Sequence, residues 1–321
     1  MTAATPEADR GLVGERPAAL PERARRLIAR IGNTPLLPLP IDGERPSVRI
    51  MGKAEWLNPG GSVKDRPAWG MVRAAVQEGA LPERTLLDAS SGNTAIAFAM
   101  LGAAIGFEVT LCVPENASRE RKRTLTAYGA TIVATDPVEG MDGARRRARE
   151  MAAADPGRFW YADQYGNEEN WKAHYRGTGP EIWEQTGGGV THLVAGLGTT
   201  GTLMGTARSL RERNGDVRVV GVEPAEAFHG LEGLKHLPTV DHPAIYDDSL
   251  VDETRRIGTE VAYETASRLA SGAGLFVGPS AGAACAAARR VAEAIDGGTV
   301  VTVLPDGGGR YLSEAWWEDR R

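Results

Sequence analysis

Residues 196–202 read GLGTTGT, and that order of residue types describes an anion site. Glycines let the chain turn sharply, so successive N–H groups converge. The N-terminus of the helix candidate that follows would add a partial positive charge worth about 0.3–1 kcal/mol to an anion at an exposed site. The hydroxyls of Thr199, Thr200 and Thr202 supply further donors, so a phosphate fits. The same string satisfies G-x-G-x-x-G through Gly196, Gly198 and Gly201, with Glu223 ending the next apolar run where a ribose-binding acid would stand, so a dinucleotide is the rival ligand. A second stretch, NPGGSVKDR at 58–66, puts Lys64 on the first turn of a helix candidate. A lysine there is either a solvated surface group or, desolvated beside partial positive charge, an amine of lowered pKa that can form a Schiff base or take a proton. In DASSGNTAIAFAM, 88–100, Ser90, Ser91, Asn93 and Thr94 crowd one helix start. One of them would suffice as an N-cap, and four favour recognition of a carboxylate. Ser280, in GPSAG at 278–282, starts another helix.

The elements that must position these turns alternate. Short Val-, Ile- and Leu-rich runs at 48–53, 85–88, 108–113, 131–134, 192–195, 217–222 and 299–304 read as strands buried on both faces. Ala-rich amphipathic stretches at 67–78, 94–101, 118–128, 142–154, 203–214, 252–271 and 281–295 read as helices between them. The fold class is therefore α/β, with mostly parallel sheets flanked by helices. The 40 glycines concentrate just after the strand candidates, where α/β folds bind ligands. The DPGRFWY segment follows a helix and precedes a second βα series, which divides the chain into a flexible tail at 1–23, one domain at 24–154 and another at 155–321. Composition removes several classes. Lys and Arg number 37 against 42 Asp and Glu, a net charge of -5 and the wrong sign for a nucleic-acid binder. Cys112 and Cys285 are the only cysteines and give neither a disulfide framework nor CxxC, which fits a reducing cytoplasm. The five histidines lack metal-ligand spacing, so no metal is expected, and no apolar run is long enough to span a membrane. The basic runs RERKR at 119–123 and RRRAR at 145–149 read as solvated helix faces, and Trp316 and Trp317 as packing residues.

Read together and in order, NPGGSVKDR, SSGNT, QYGN, GTGPEIWEQTGG, GLGTTGT and GPSAG resemble the cysteine synthase family of fold type II pyridoxal-phosphate enzymes. IGNTPL and LPDGGGRYLS extend the match over 31–313, and QYGN with GLGTTGTLMGT is similar to the B-type branch of O-acetylserine and O-phosphoserine sulfhydrylases. The resemblance implies the two-domain, tryptophan synthase β-like fold. It implies pyridoxal 5'-phosphate, with Lys64 as the Schiff-base lysine and the base for the substrate Cα proton. By the same resemblance Gly198, Thr199, Thr200, Gly201 and Thr202 hold the phosphate, Asn93 the ring O3′ and Ser280 the pyridine nitrogen. Ser90, Ser91, Thr94 and Gln164 receive the substrate carboxylate. The implied enzyme is a transferase of class EC 2.5.1.-, a cysteine synthase of amino-acid biosynthesis. It converts an O-activated L-serine through an α-aminoacrylate to L-cysteine. A homodimer is the implied assembly, and the sulfur donor stays open between sulfide, thiosulfate and a thiocarboxylated sulfur-carrier protein as a further partner.

The chain departs from the family pattern at Ser90, usually Thr, at Ala95, usually Gly, and at Pro279-Ser280-Ala281, usually Ile-Ser-Ser. O-phosphoserine users of the branch carry an arginine after Glu-Pro, and here that position is Ala225. O-acetyl-L-serine is accordingly the favoured substrate, with Lys235, His229 or His236 as substitutes for the missing cation. Rival readings keep the cofactor and change the reaction (cystathionine β-synthase, diaminopropionate synthase, β-lyase), or replace it with a nicotinamide dinucleotide on Gly196, Gly198, Gly201 and Glu223.

Overall fold

The computed structural model describes residues 20–40 and 47–318. Ten strands form two sheets. Six build the larger, in the order β1 (Leu36–Pro38), β2 (Val48–Ala54), β10 (Gly298–Leu304), β7 (Val190–Gly196), β8 (Arg218–Pro224) and β9 (Glu253–Ile257). Four build the smaller, in the order β5 (Thr131–Thr135), β4 (Val109–Pro114), β3 (Thr85–Ala89) and β6 (Phe159–Tyr161). Every pairing is parallel except β1 with β2. The helices are α1 (Glu22–Ile28), α2 (Asp65–Gln77), α3 (Asn93–Ile105), α4 (Arg119–Ala127), α5 (Gly140–Ala154), α6 (Glu169–Arg176), α7 (Thr178–Gln185), α8 (Gly201–Arg211), α9 (Thr259–Ala273), α10 (Pro279–Glu293) and α11 (Ala315–Glu318). All residues of β3 and β4 are buried, as their unbroken apolarity requires of strands covered on both faces. On the small sheet α2 and α3 share one core and α5 lies on a second. On the large sheet α9 and α10 share one core and α7 and α8 another.

Three expectations change. The stretch 252–271 is not one helix: Glu253–Ile257 is β9, and α9 starts after Gly258. The strand reads ETRRI because it is an edge with a single neighbour, and charge on an edge blocks further pairing. The sheets do not part between residues 154 and 155, since β1 and β2 join the large sheet and β6 crosses back to pair with β3. The last residues of the expected tail are already in α1, where Glu22 pairs with Arg25 and Arg26; residues 1–19 of that tail lie outside the described ones.

A buried ion cluster ties the start of α2 to the large-sheet side. Arg66 donates to Glu55 through Nε (2.7 Å) and Nη2 (2.8 Å), and to Glu181 of α7 through Nη1 (2.6 Å) and Nη2 (2.8 Å). Lys53, fully buried, pairs with Glu181 at 2.6 Å, and the Thr34 hydroxyl donates to Glu55 at 2.6 Å. Burial alone would raise the Glu55 pKa, but Arg66, Thr34 and Lys53 outweigh it and hold the carboxyl at about 2. Arg66→Met strands Glu55 without its main counter-charge and is expected to cost about 3–5 kcal/mol in equilibrium urea unfolding. Because the folded pKa lies below the ordinary 4.5, the ionised Glu55 contributes stability above that pH, and the contribution fades as pH falls toward about 2. The stability gap between wild type and Glu55→Gln should narrow over that window, and a widening gap would refute the assignment.

Candidate active site

A cavity of about 390 Å³ opens where the C-terminal ends of β3, β7 and β10 meet the first turns of α3, α8 and α10. Of the residues expected to hold the cofactor or the substrate carboxylate, all line it except Gly201, while Glu223, Ala225, His229 and His236 do not. Gly201 begins α8 behind the wall, with Asn170 packed against its α-carbon.

The GLGTTGT turn is built for close approach. A Cβ on Gly198 would lie 2.1 Å from the Gly233 carbonyl oxygen, and Thr200 takes the left-handed region at φ 69°. L side chains adopt that region rarely, at a cost of order 1–3 kcal/mol. The Thr200 hydroxyl is buried and has no hydrogen-bond partner among the described residues, the mark of a group whose acceptor is a ligand. Thr199 and Thr202 flank it on the cavity wall. This donor set at a helix N-terminus fits a phosphate.

Lys64 stands at the N-cap of α2, half-buried, and burial pushes its amine below the ordinary lysine range, while the Asp306 and Glu55 carboxylates oppose that shift. A lysine with a raised neutral fraction can add to an aldehyde or accept a proton. Ser280, the second residue of α10, is buried and reaches the same cavity.

At the start of α3 the serine-rich turn is tied to the first backbone N–H groups of the helix. Ser90 Oγ accepts from the N–H groups of Gly92 and Ala95 (3.3 Å each), which is capping, and keeps its own proton to donate. Thr94 donates to Gln164 Oε1 at 2.8 Å, and Gln164 Nε2 donates to Asp88 and to the Ala89 carbonyl, both at 3.2 Å. Asn93 Nδ2 donates to Asp306 Oδ2 at 2.6 Å, while Asn93 Oδ1 accepts from Arg310 Nη1 at 2.9 Å. These bonds fix the amide's orientation and leave one Nδ2 proton for a ligand.

Sequence reasoning missed several groups. Asp306 is buried, with its pKa raised by burial, and accepts from Tyr311 at 2.7 Å; its Oδ1 has no partner among the described residues. Arg121 leaves the expected solvated face of α4, lines the cavity and pairs with Glu232. Arg145 of α5 likewise lies over the Tyr165 ring at 4.4 Å, and Lys235 covers that ring at 4.9 Å. Asn93, Glu232 and Tyr165 reach Asp306, Arg121 and Arg145 from other segments of the chain, so no local pattern shows these contacts. Ala225, taken from the sequence as the leaving-group position, is exposed and is not on the cavity wall, whereas Lys235 is. Glu223 is spent on Arg256 Nε (2.9 Å) and the Leu237 N–H (3.3 Å), which removes the acid the dinucleotide reading needs. Trp316 stacks on Tyr263 at 4.3 Å and Trp317 packs against Phe276. Among the described residues no acid, histidine or cysteine cluster could hold a metal ion, and no helix is long and apolar enough to cross a membrane.

The family model described as pyridoxal-phosphate dependent enzyme matches residues 28–306. A cysteine synthase of Aquifex aeolicus is 48% identical over 308 residues, 93% of this chain and 94% of that protein. Cysteine synthase B of Escherichia coli is 44% identical over 284 residues, 88% of this chain and 93% of that protein. The crystal structure of a cysteine synthase from Entamoeba histolytica superposes with a TM-score of 0.88 at 32% identity, covering 100% of this chain and 95% of that one.

Proposed function

The chain belongs to the pyridoxal-phosphate dependent enzyme family, and on that premise we propose that it replaces the β-substituent of an O-activated L-serine with a sulfur nucleophile to give L-cysteine. The observation that carries this reading is one cavity walled by an anion-binding turn, a half-buried lysine of lowered pKa and a serine-rich helix start. Pyridoxal phosphate, when bound, supplies the electron sink that acidifies the substrate Cα–H. The buried orphan hydroxyl of Thr200 and the cradle at Gly198 support its phosphate lying in the GLGTTGT turn, with Gly201 contributing backbone alone. Asn93 would donate to the ring oxygen. Ser280 would face the ring nitrogen with a hydroxyl, which unlike a carboxylate does not hold that nitrogen protonated and so favours β-elimination over transamination. Lys64 Nζ takes the Cα proton, its neutral fraction enlarged by burial. Ser90, Ser91, Thr94 and Gln164 receive the substrate carboxylate, Ser90 with its hydroxyl proton free and the Thr94–Gln164 pair by turning from each other to the ligand.

For the leaving group we favour acetate. Apart from Lys64, the ionisable wall groups Arg121, Glu232, Lys235 and Asp306 balance in formal charge, and Arg121 is already paired, which suits a neutral ester better than a dianion. One observation favours O-phospho-L-serine instead: Lys235 forms no salt bridge among the described residues. The nucleophile is a small sulfur anion, free or presented by a sulfur-carrier protein. We place the enzyme in the cytoplasm as a homodimer, a setting consistent with two free, buried cysteines.

Addition of O-acetyl-L-serine without a sulfur donor is expected to shift the visible absorption of the holoenzyme, and later addition of sulfide to restore it and release L-cysteine. A yellow protein that ignores both O-acetyl-L-serine and O-phospho-L-serine would move the assignment to another β-replacement. Lys64→Ala should lose about 10³-fold or more in turnover and show no borohydride-fixed cofactor while its circular dichroism is unchanged; retained turnover would refute the role. Lys235→Ala should lower kcat/KM for O-phospho-L-serine by about 10-fold and that for O-acetyl-L-serine far less. Equal losses on both substrates would show that Lys235 does not read the leaving group.

A further inference from the structure

Helix α6 lies beneath the phosphate turn, seated on α8 so closely that a Cβ at Gly205 would stand 1.9 Å from the Trp171 carbonyl oxygen. Two of its side chains, one turn apart on the same face, reach threonines of the turn. Asn170 Nδ2 donates to Thr199 Oγ1 at 3.1 Å, and His174 Nε2 lies 3.2 Å from Thr202 Oγ1. On the far side of the ring, His174 Nδ1 lies 2.8 Å from Thr178 Oγ1. Asn170, His174 and Thr178 are all buried, and neither of the first two figured in the reading of the sequence.

The direction of these bonds follows from counting donors. The Thr178 hydroxyl is fully buried and has no other side-chain partner among the described residues, so its proton is satisfied only if it goes to Nδ1. Nδ1 is then bare. The ring is neutral, because burial and the nearby Arg66 charge hold its pKa down at about 3. Its one proton therefore sits on Nε2 and is donated to Thr202 Oγ1. Asn170 gives the same result at the other threonine, since its Nδ2 also donates to the Gln164 carbonyl at 2.6 Å and a flipped amide would set oxygen against oxygen. Thr199 and Thr202 thus each accept from a neutral donor behind the wall, and their own hydroxyl protons are released toward the cavity.

We propose that Asn170 and His174 are positioning residues that set the hydrogen-bond polarity of the anion-binding turn, with a relay from Thr178 through the Nε2–H tautomer of His174 to Thr202 that makes Thr202 a donor to the cofactor phosphate. The proposal rests on the reading that this turn holds that phosphate. It assigns the fully buried histidine a task that a charged residue could not perform there without the cost of burying the charge.

The test reads the tautomer directly. With ¹⁵N-labelled histidine incorporated into the holoenzyme, the five histidines give five ring signatures, and His174→Gln identifies the one sought. A neutral ring protonated at Nε2 is expected, and a proton on Nδ1 or on both nitrogens overturns the relay whatever any variant does. The cofactor dissociation constant of the refilled enzyme gives the second readout. Gln keeps an N–H near the position of Nε2, so His174→Gln should hold pyridoxal phosphate within about threefold of wild type, while His174→Phe should weaken it about 10-fold without moving the visible absorption maximum set at Lys64. Equal affinities for the two variants overturn the proposal. If His174→Phe does not fold, Thr178→Val replaces it: that variant removes the donor to Nδ1 and should shift the tautomer, and an unchanged signature counts against the relay. Thr200→Val separates this from the underlying reading. Unchanged affinity there would mean that the phosphate lies elsewhere, whereas a loss there with none in His174→Phe rejects the relay alone.

Discussion

The placement of Lys64 depends on Arg66. The body of α2 packs into the small-sheet core through Trp69, Met71 and Val72, so apolar burial alone would assign the whole helix to that side. Two residues after Lys64, however, the Arg66 guanidinium closes on Glu55, which follows β2, and on Glu181 of α7. The first turn of the helix is thereby held to the large-sheet side, and the lysine stands where the two meet. Lys53 completes a cluster of two cations and two anions, balanced in charge and rich in hydrogen bonds. Such a cluster adds little net stability over an apolar core of the same shape, but its parts cannot be rearranged cheaply, which makes it a device for register.

That fixed lysine meets a cavity whose electrostatics pull in two directions. Burial favours the neutral amine, and the carboxylate of Asp306 favours the ammonium. Asp306 is itself restrained by Asn93 and Tyr311, which donate to one of its oxygens, the other having no partner among the described residues. The group that tempers Lys64 therefore also orients the Asn93 amide, and Arg310 pins that amide's oxygen from the other side. Proton affinity at the lysine and donor geometry at the start of α3 are consequently coupled through a single carboxylate.

The fold and many of the residues that line the cavity were legible in the sequence, for reasons visible in particular residues. Strands such as TLLDA and VTLCVP announce themselves because burial on both faces admits little else. The turn at 196–202 announces itself because Gly198 has no room for a side chain and three threonines crowd the turn beside it. What stayed hidden depends on partners remote in the chain. Arg121 and Arg145 sit in basic runs that look solvated, and only the fold brings Glu232 to one and Tyr165 to the other. The edge strand β9 is too charged to be seen and β6, though wholly aromatic, is only three residues long, and β6 alone carries the chain back to the small sheet from beyond the boundary placed at 154.

The layer behind the turn was hidden for a different reason: its residues are neutral. A cation there would be conspicuous in sequence, but inside this molecule it would add positive charge close to Lys64, which His174 already senses as a neighbouring charge. Donors without charge avoid the conflict. Asn170 and His174 lie within hydrogen-bond distance of Thr199 and Thr202, while the helix end of α8 supplies positive potential that is fixed in direction and cannot titrate. Burial lowers the proton affinity of Lys64 and the carboxylates of Asp306 and Glu55 raise it, so its charge is set by groups other than the neutral layer behind the turn.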